Sequence, residues 1–208
     1  QLLIPGLVNC HTHSGMSLFR GFGDDLGLHE WLNECIFPAE ARFTNPDFVE
    51  LGTRLAISEM LQTGTTTFVD QYYHCEVAAS VAYSAGIRIA CGESIIDLQD
   101  GNFGPKIDAA YAISKRLQNT YSPEWVIPIV NPHACYTVPE HGLKEIEQRF
   151  DFPVNTHLHE TEEECALFAA NSSGKSAIDV LRNVGLFNSN LIAAHCVVLT
   201  PRERQLLA

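Results

Sequence analysis

Apolar residues in this chain come in short, near-continuous blocks, separated by segments in which they recur every three or four positions. Blocks near 2–10, 65–72, 87–96, 125–132, 153–159 and 190–197 read as β-strands. The periodic segments 46–63, 74–85, 105–118, 138–149 and 174–184 read as helices, and a sixth helix is expected to begin at Thr200-Pro201. Asn45 before Pro46 supplies an N-cap followed by proline at the first helical position, and Gly64 suits the end of the same helix. Successive strand–helix units imply parallel strands covered by helices, an α/β fold in one domain over 1–208. Continuous apolarity without alternation predicts strands buried on both faces. A (β/α)8 barrel of TIM type fits, with about six βα units in this chain. A doubly wound open sheet is the alternative, but no Gly-x-Gly-x-x-Gly turn follows the first block. The segment 97–105 reads as a turn-rich insertion.

The 208 residues carry 25 acidic against 13 basic side chains, a formal charge of −12. Such a balance repels polyanions, which argues against nucleic acid and anionic membrane surfaces as partners. No uninterrupted apolar stretch is long enough to span a bilayer. The seven cysteines stand singly, without a Cys-x-x-Cys pair, and read as reduced thiols. A cytoplasmic protein is expected.

Histidines then change the picture. His11 and His13 end the first apolar block, and residues i and i+2 of a strand project to one side. His157 and His159 end the fifth block and His195 the sixth, while His133 follows the fourth. A single His-x-His is weak, and a lone histidine is more often a core residue. Three apolar strands that each end in histidine point to a metal centre at the strands' C-terminal ends, since neutral imidazole is a common ligand for zinc and similar ions. Cys10 and Cys196 alternate to the other face of their strands. Glu160 lies in an acidic run with Glu162, Glu163 and Glu164, where a solvated carboxylate is the ordinary reading. The pair Asp24-Asp25 reads as ordering the loop after the first strand.

Ordered motifs run the length of the chain. They are Pro5-Gly6-Leu7-Val8-Asn9-x-His11-x-His13, Met16-Ser17-Leu18-Phe19-Arg20-Gly21, Trp31-Leu32, Pro38-Ala39-Glu40-Ala41, Gly64-Thr65-Thr66-Thr67-Phe68-x-Asp70, Pro132-His133-Ala134-x-Tyr136-Thr137, His157-Leu158-His159-Glu160-Thr161 and Ala194-His195-Cys196. Together they resemble the amidohydrolase superfamily, in its methylthioadenosine/S-adenosylhomocysteine deaminase and triazine hydrolase branch. The resemblance implies one divalent metal, zinc first and Fe2+ second, bound by His11, His13 and His157. It implies Glu160 as the acid that protonates a substrate ring nitrogen and His195 as the group that orients the attacking water. It also implies substrate contacts from His133, Trp31 and Glu40, the last accepting hydrogen bonds from ribose hydroxyls. His159 reads as structural. The fourth strand has no lysine to bridge a second metal. Measured against the family pattern, the chain is expected to lack the last two βα units, with their metal-contacting aspartate, and the small β-sandwich domain.

The function implied is hydrolytic deamination of an adenine nucleoside, such as 5′-methylthioadenosine, adenosine or S-adenosylhomocysteine. Hydrolysis of a chlorotriazine or other heteroaromatic is the alternative enzyme, and a non-catalytic metal-binding fragment the alternative of another class. Some branch members use arginines after the third strand to pair with a substrate carboxylate. The stretch 89–115 has no arginine and carries Glu93, Asp97, Asp100 and Asp108, which favours a substrate without that group. The expected partner is thus a small nucleoside or heteroaromatic substrate, with homo-oligomerisation left open.

Overall fold

A computed structural model describes residues 2–97 and 103–208. The central part of the expected insertion 97–105, with Asp100, lies outside the described residues. The chain forms two compact units, the first made of residues 1–93 and 112–129, the second of 94–111 and 130–208. Each has its own apolar core.

The first unit contains β1 (Leu7–Thr12), α1 (Leu28–Glu30), α2 (Phe37–Phe43), α3 (Pro46–Gln62), β2 (Thr65–Tyr72), α4 (Cys75–Ala85), most of β3 (Arg88–Ile95), the second half of α5 (Phe103–Thr120) and β4 (Val126–Pro128). Its strands are parallel in the order β1-β2-β3-β4. As anticipated from Asn45-Pro46, the Asn45 side chain accepts the Phe48 N–H at 3.0 Å and opens α3. Phe68, Ile87 and Ile89 fill the core with Val49, Ala78 and Leu117.

The second unit holds β5 (Asn131–Pro132), α6 (Glu140–Arg149), β6 (Val154–Leu158), α7 (Glu162–Asn171), α8 (Ala177–Val184), β7 (Leu191–His195) and α9 (Pro201–Leu207). The end of β3 pairs in parallel with β5, and β6 pairs in parallel with β7. Bridges at Val130–Val154 and Ala134–His157 tie the β5 segment to β6. Helices α7, α8 and α9 each open on a reciprocal capping box, Thr161/Glu164, Ser176/Asp179 and Thr200/Glu203.

Three expectations are corrected. The first strand begins at Leu7 and not at residue 2, and it is not buried on both faces: Leu7 is 53% and Val8 59% exposed. Its only strand partner among the described residues is β2, so one edge and much of both faces stay uncovered. The fourth block is divided, since β4 ends at Pro128 and pairing resumes only at Asn131. Helix also occupies two segments that the periodicity missed, 28–43 and 162–171. In the first, a π-helical turn at Trp31–Ile36 shifts the repeat. In the second, the acidic run masks a short helix with no fully buried side chain.

One contact fixes the loop after β1. A short 3₁₀ segment, Ser14–Phe19, lies against α3 so closely that a Cβ on Gly52 would stand 2.2 Å from the Gly15 carbonyl oxygen. Alanine at position 52 gains about 1 kcal/mol of helix propensity, but it must push one backbone off another. Gly52→Ala is therefore expected to destabilise the chain by about 1–3 kcal/mol net, read as a lower urea midpoint at unchanged m-value.

Candidate active site

At the end of β1 the His11 and His13 rings meet edge to face, with centroids 4.8 Å apart. The His13 Nδ1 lies 2.5 Å from the Gln71 carbonyl oxygen of β2. A carbonyl only accepts, so this contact places the neutral ring's proton on Nδ1 and leaves Nε2 bare. The turn that presents His13 is built on Asp70. This carboxylate is fully buried and accepts the Thr12 hydroxyl at 2.8 Å, the Ser14 N–H at 2.6 Å and the Ser14 hydroxyl at 3.1 Å. Burial pushes the Asp70 carboxyl up, against the pull of those donors and of His13.

Glu40 of α2 is buried, hydrogen-bonded to Tyr72 and close to Tyr73. Removal from water raises its carboxyl to about 7, with the Tyr72 hydroxyl opposing the shift. Both tyrosines are raised in turn, by burial first and then by the Glu40 charge. The Tyr72 ring also lies 6.5 Å from that of His13, so Glu40 and the β1 histidines share one neighbour. Trp31 is half-buried, and its indole N–H donates to the Phe22 carbonyl at 2.9 Å, pinning the loop after β1.

In the second unit, His157 of β6 is buried, with Nδ1 2.6 Å from the His133 carbonyl oxygen. The same logic leaves its Nε2 bare. The His157 and His195 rings stack with centroids 5.4 Å apart, and their ligand nitrogens lie within 4.8 Å. The His195 Nε2 stands 3.6 Å from the Glu160 carboxylate. Burial lowers the His195 imidazole below its usual value, and the Glu164 carboxylate opposes this. His195 and Cys196 both adopt positive φ, +74° and +52°, which turns the chain sharply at the strand end. His159, also at positive φ, is buried, with Nδ1 3.9 Å from Glu203. Its carbonyl accepts the Val197 and Val198 N–H groups at 3.0 Å and so ties β6 to that turn.

The predicted residues thus gather within each unit: His11 with His13, Glu40 with Tyr72, and His133, His157, His195 and Glu160 around the ends of β5, β6 and β7. Two carboxylates invoked against an anionic substrate are engaged elsewhere. Glu93 accepts the His74 and Cys75 N–H groups at 3.0 and 3.1 Å and caps α4, while Asp108 pairs with Arg149. The argument for a substrate without a carboxylate therefore leans more on the absence of arginine than on these two acids. Sequence reasoning gave no role to Asp70, although a lone carboxylate closing an apolar strand was a usable signal. Gln71 acts through its main chain, which no side-chain motif reveals.

The parallel strands of this α/β chain end in histidines, side chains of a type that can bind a metal ion. The match is specific: residues 2–208 fit the model of the Amidohydrolase family, and the chain belongs to that family. A 5-methylthioadenosine/S-adenosylhomocysteine deaminase of Thermodesulfovibrio yellowstonii is 40% identical over 99% of this chain and 47% of its own length. A 5′-deoxyadenosine deaminase of Methanothermobacter thermautotrophicus is 38% identical over 100% of this chain and 49% of its own. Among solved structures, a zinc-bound adenosine deaminase from Xanthomonas campestris superposes with a TM-score of 0.81 at 37% identity, covering 97% of this chain and 46% of that one. The chain thus spans about half the length of the curated relatives it matches. Among the described residues no helix is long and apolar enough to cross a membrane.

Glu40 gives the site a pH signature. Its folded-state value lies above that of the unfolded chain, so the protonated carboxyl contributes stability that is complete below about pH 4.5 and lost as pH rises through about 7. Urea unfolding of wild type beside Glu40→Gln is expected to show wild type losing roughly 2 kcal/mol relative to the variant between pH 5 and pH 8.

Proposed function

We propose that the protein carrying this chain is a hydrolytic deaminase of adenine nucleosides. The observation that carries the proposal is the shared anchoring of His13 and His157. Each donates from Nδ1 to a main-chain carbonyl, which places the neutral ring's proton on Nδ1 and leaves Nε2 the unprotonated, ligand-type nitrogen. Relatives named as deaminases at 38–40% identity supply the substrate class.

In this reading His11, His13 and His157 hold one divalent ion, with zinc the first choice. Bound there, such an ion supplies Lewis acidity and lowers the pKa of water at its open position. Glu160 gives a proton to the ring nitrogen beside the carbon that bears the amino group, as a water oxygen adds to that carbon. One water proton passes to the departing nitrogen, the carbon–nitrogen bond breaks and ammonia leaves, while the remaining hydroxyl proton returns to the Glu160 carboxylate and leaves a carbonyl on the ring. His195 holds the water by a hydrogen bond. Its approach to Glu160 supports the idea that the two serve one reacting centre. His133 contacts the substrate ring, Trp31 packs beside it, and Glu40 accepts the ribose hydroxyls. A substrate without an amino-acid carboxylate is favoured, because 89–115 offers no arginine to receive one.

Elemental mass spectrometry of the chain purified without chelator is expected to find about one zinc per chain, and far less in His157→Ala. Ammonia release from adenosine, 5′-deoxyadenosine and 5′-methylthioadenosine by the protein carrying this chain should fall about 10²–10⁴-fold in Glu160→Gln. Full activity in that variant, or chloride release from a chlorotriazine with no nucleoside turnover, would overturn the assignment.

A further inference from the structure

Three buried polar side chains meet behind His13: Ser14 just past β1, Asp70 on β2 and Thr53 on α3, each 2% exposed or less. One Asp70 oxygen accepts the Ser14 N–H at 2.6 Å and lies 2.8 Å from the Thr12 hydroxyl, while the other accepts the Ser14 hydroxyl at 3.1 Å. The Thr53 hydroxyl stands 2.9 Å from that same Ser14 hydroxyl. One residue further on, Gly15 rests against Gly52 of α3 without room for a Cβ. The residues that follow His13 are thus gripped from β2 and from α3, while His13 itself is only half-buried. Gln71, next to Asp70 on β2, takes the His13 ring through its carbonyl oxygen. Adjacent residues of one strand therefore hold the main chain and the ring of His13. Burying a carboxylate costs several kcal/mol of hydration, and apolar residues of the same shape are often as stable or more so. What hydrogen bonds add over apolar contact is direction, because they weaken steeply away from their preferred geometry.

We infer that Asp70 is a positioning residue for metal binding: acting through Ser14, and backed by Thr53, it fixes the direction in which the His13 imidazole meets an ion. This rests on the reading of His13 as a ligand, but the fixing of the ring is decided without metal. Asparagine at 70 keeps an oxygen for the Ser14 N–H and turns an N–H toward the Ser14 hydroxyl, which can accept it. Leucine keeps the volume and offers neither. Positioning should therefore survive Asp70→Asn and fail in Asp70→Leu.

The test begins with ¹³C relaxation of the histidine rings in the metal-free chain, His13 being assigned by the signal lost in His13→Gln. The ring is expected to be as ordered as its backbone in wild type and in Asp70→Asn, and looser in Asp70→Leu. Thr53→Val, which leaves the contacts between Asp70 and Ser14 in place, should loosen it to a smaller degree, and it decides the matter if Asp70→Leu does not fold. A His13 ring as ordered in these two variants as in wild type overturns the inference. Competition for zinc against a chromophoric chelator, in the protein carrying this chain, then reads the consequence. Asp70→Leu should bind zinc about 10–100-fold more weakly, and Asp70→Asn close to wild type. Ile87→Val, which trims the core of the same unit at a cost of about 1 kcal/mol, is the stability control and should bind as wild type does. An equal loss in Ile87→Val makes the effect one of stability, and an equal loss in Asp70→Asn makes it one of charge; either overturns the inference. A wild type that takes up no zinc, with a His13 ring released in Asp70→Leu, sinks the metal centre instead and leaves the positioning of the ring standing.

Discussion

A main-chain carbonyl at the end of a parallel strand that accepts an imidazole N–H is the constraint on which this site depends. Gln71 lies where β2 runs on past the end of β1, and its oxygen goes to the His13 ring. The His133 carbonyl, beyond β5, takes both the His157 N–H at 3.0 Å and the His157 ring at 2.6 Å. In each unit a strand-end carbonyl orients an imidazole and places the proton of the neutral ring on Nδ1. These two rings are thus oriented by the fold itself.

The buried polar groups around them follow from that arrangement. Asp70 has lost its water and is compensated by three donors from the Thr12–Ser14 turn, which fixes the backbone on either side of His13. Glu40 is raised in the same sense, to about 7, with the Tyr72 hydroxyl opposing the shift.

Much of this was legible in the sequence. Apolar blocks located the strands after the first to within a few residues, because buried parallel strands show in composition, and Asn45-Pro46 marked its helix by local chemistry. His11, His13, His157 and His195 were conspicuous by parity and position. What escaped was set by the main chain or by irregular geometry: the carbonyls of Gln71 and His133, the π-helical turn at Trp31–Ile36 and the division of the fourth strand after Pro128. The cap that Glu93 supplies to α4 was not visible, because it depends on pairing between residues 18 and 19 positions apart.

The capping box of α7 reaches further than the helix it starts. The Glu164 carboxylate receives the Glu160 main-chain N–H at 2.6 Å as well as serving Thr161. The candidate acid is therefore mounted on the first turn of a helix with no fully buried side chain. Helix ends fray before cores melt. Warming short of global unfolding would thus loosen Glu160 while the histidines on their strands stay in place, so that this carboxylate has a lower melting point than the scaffold that holds it.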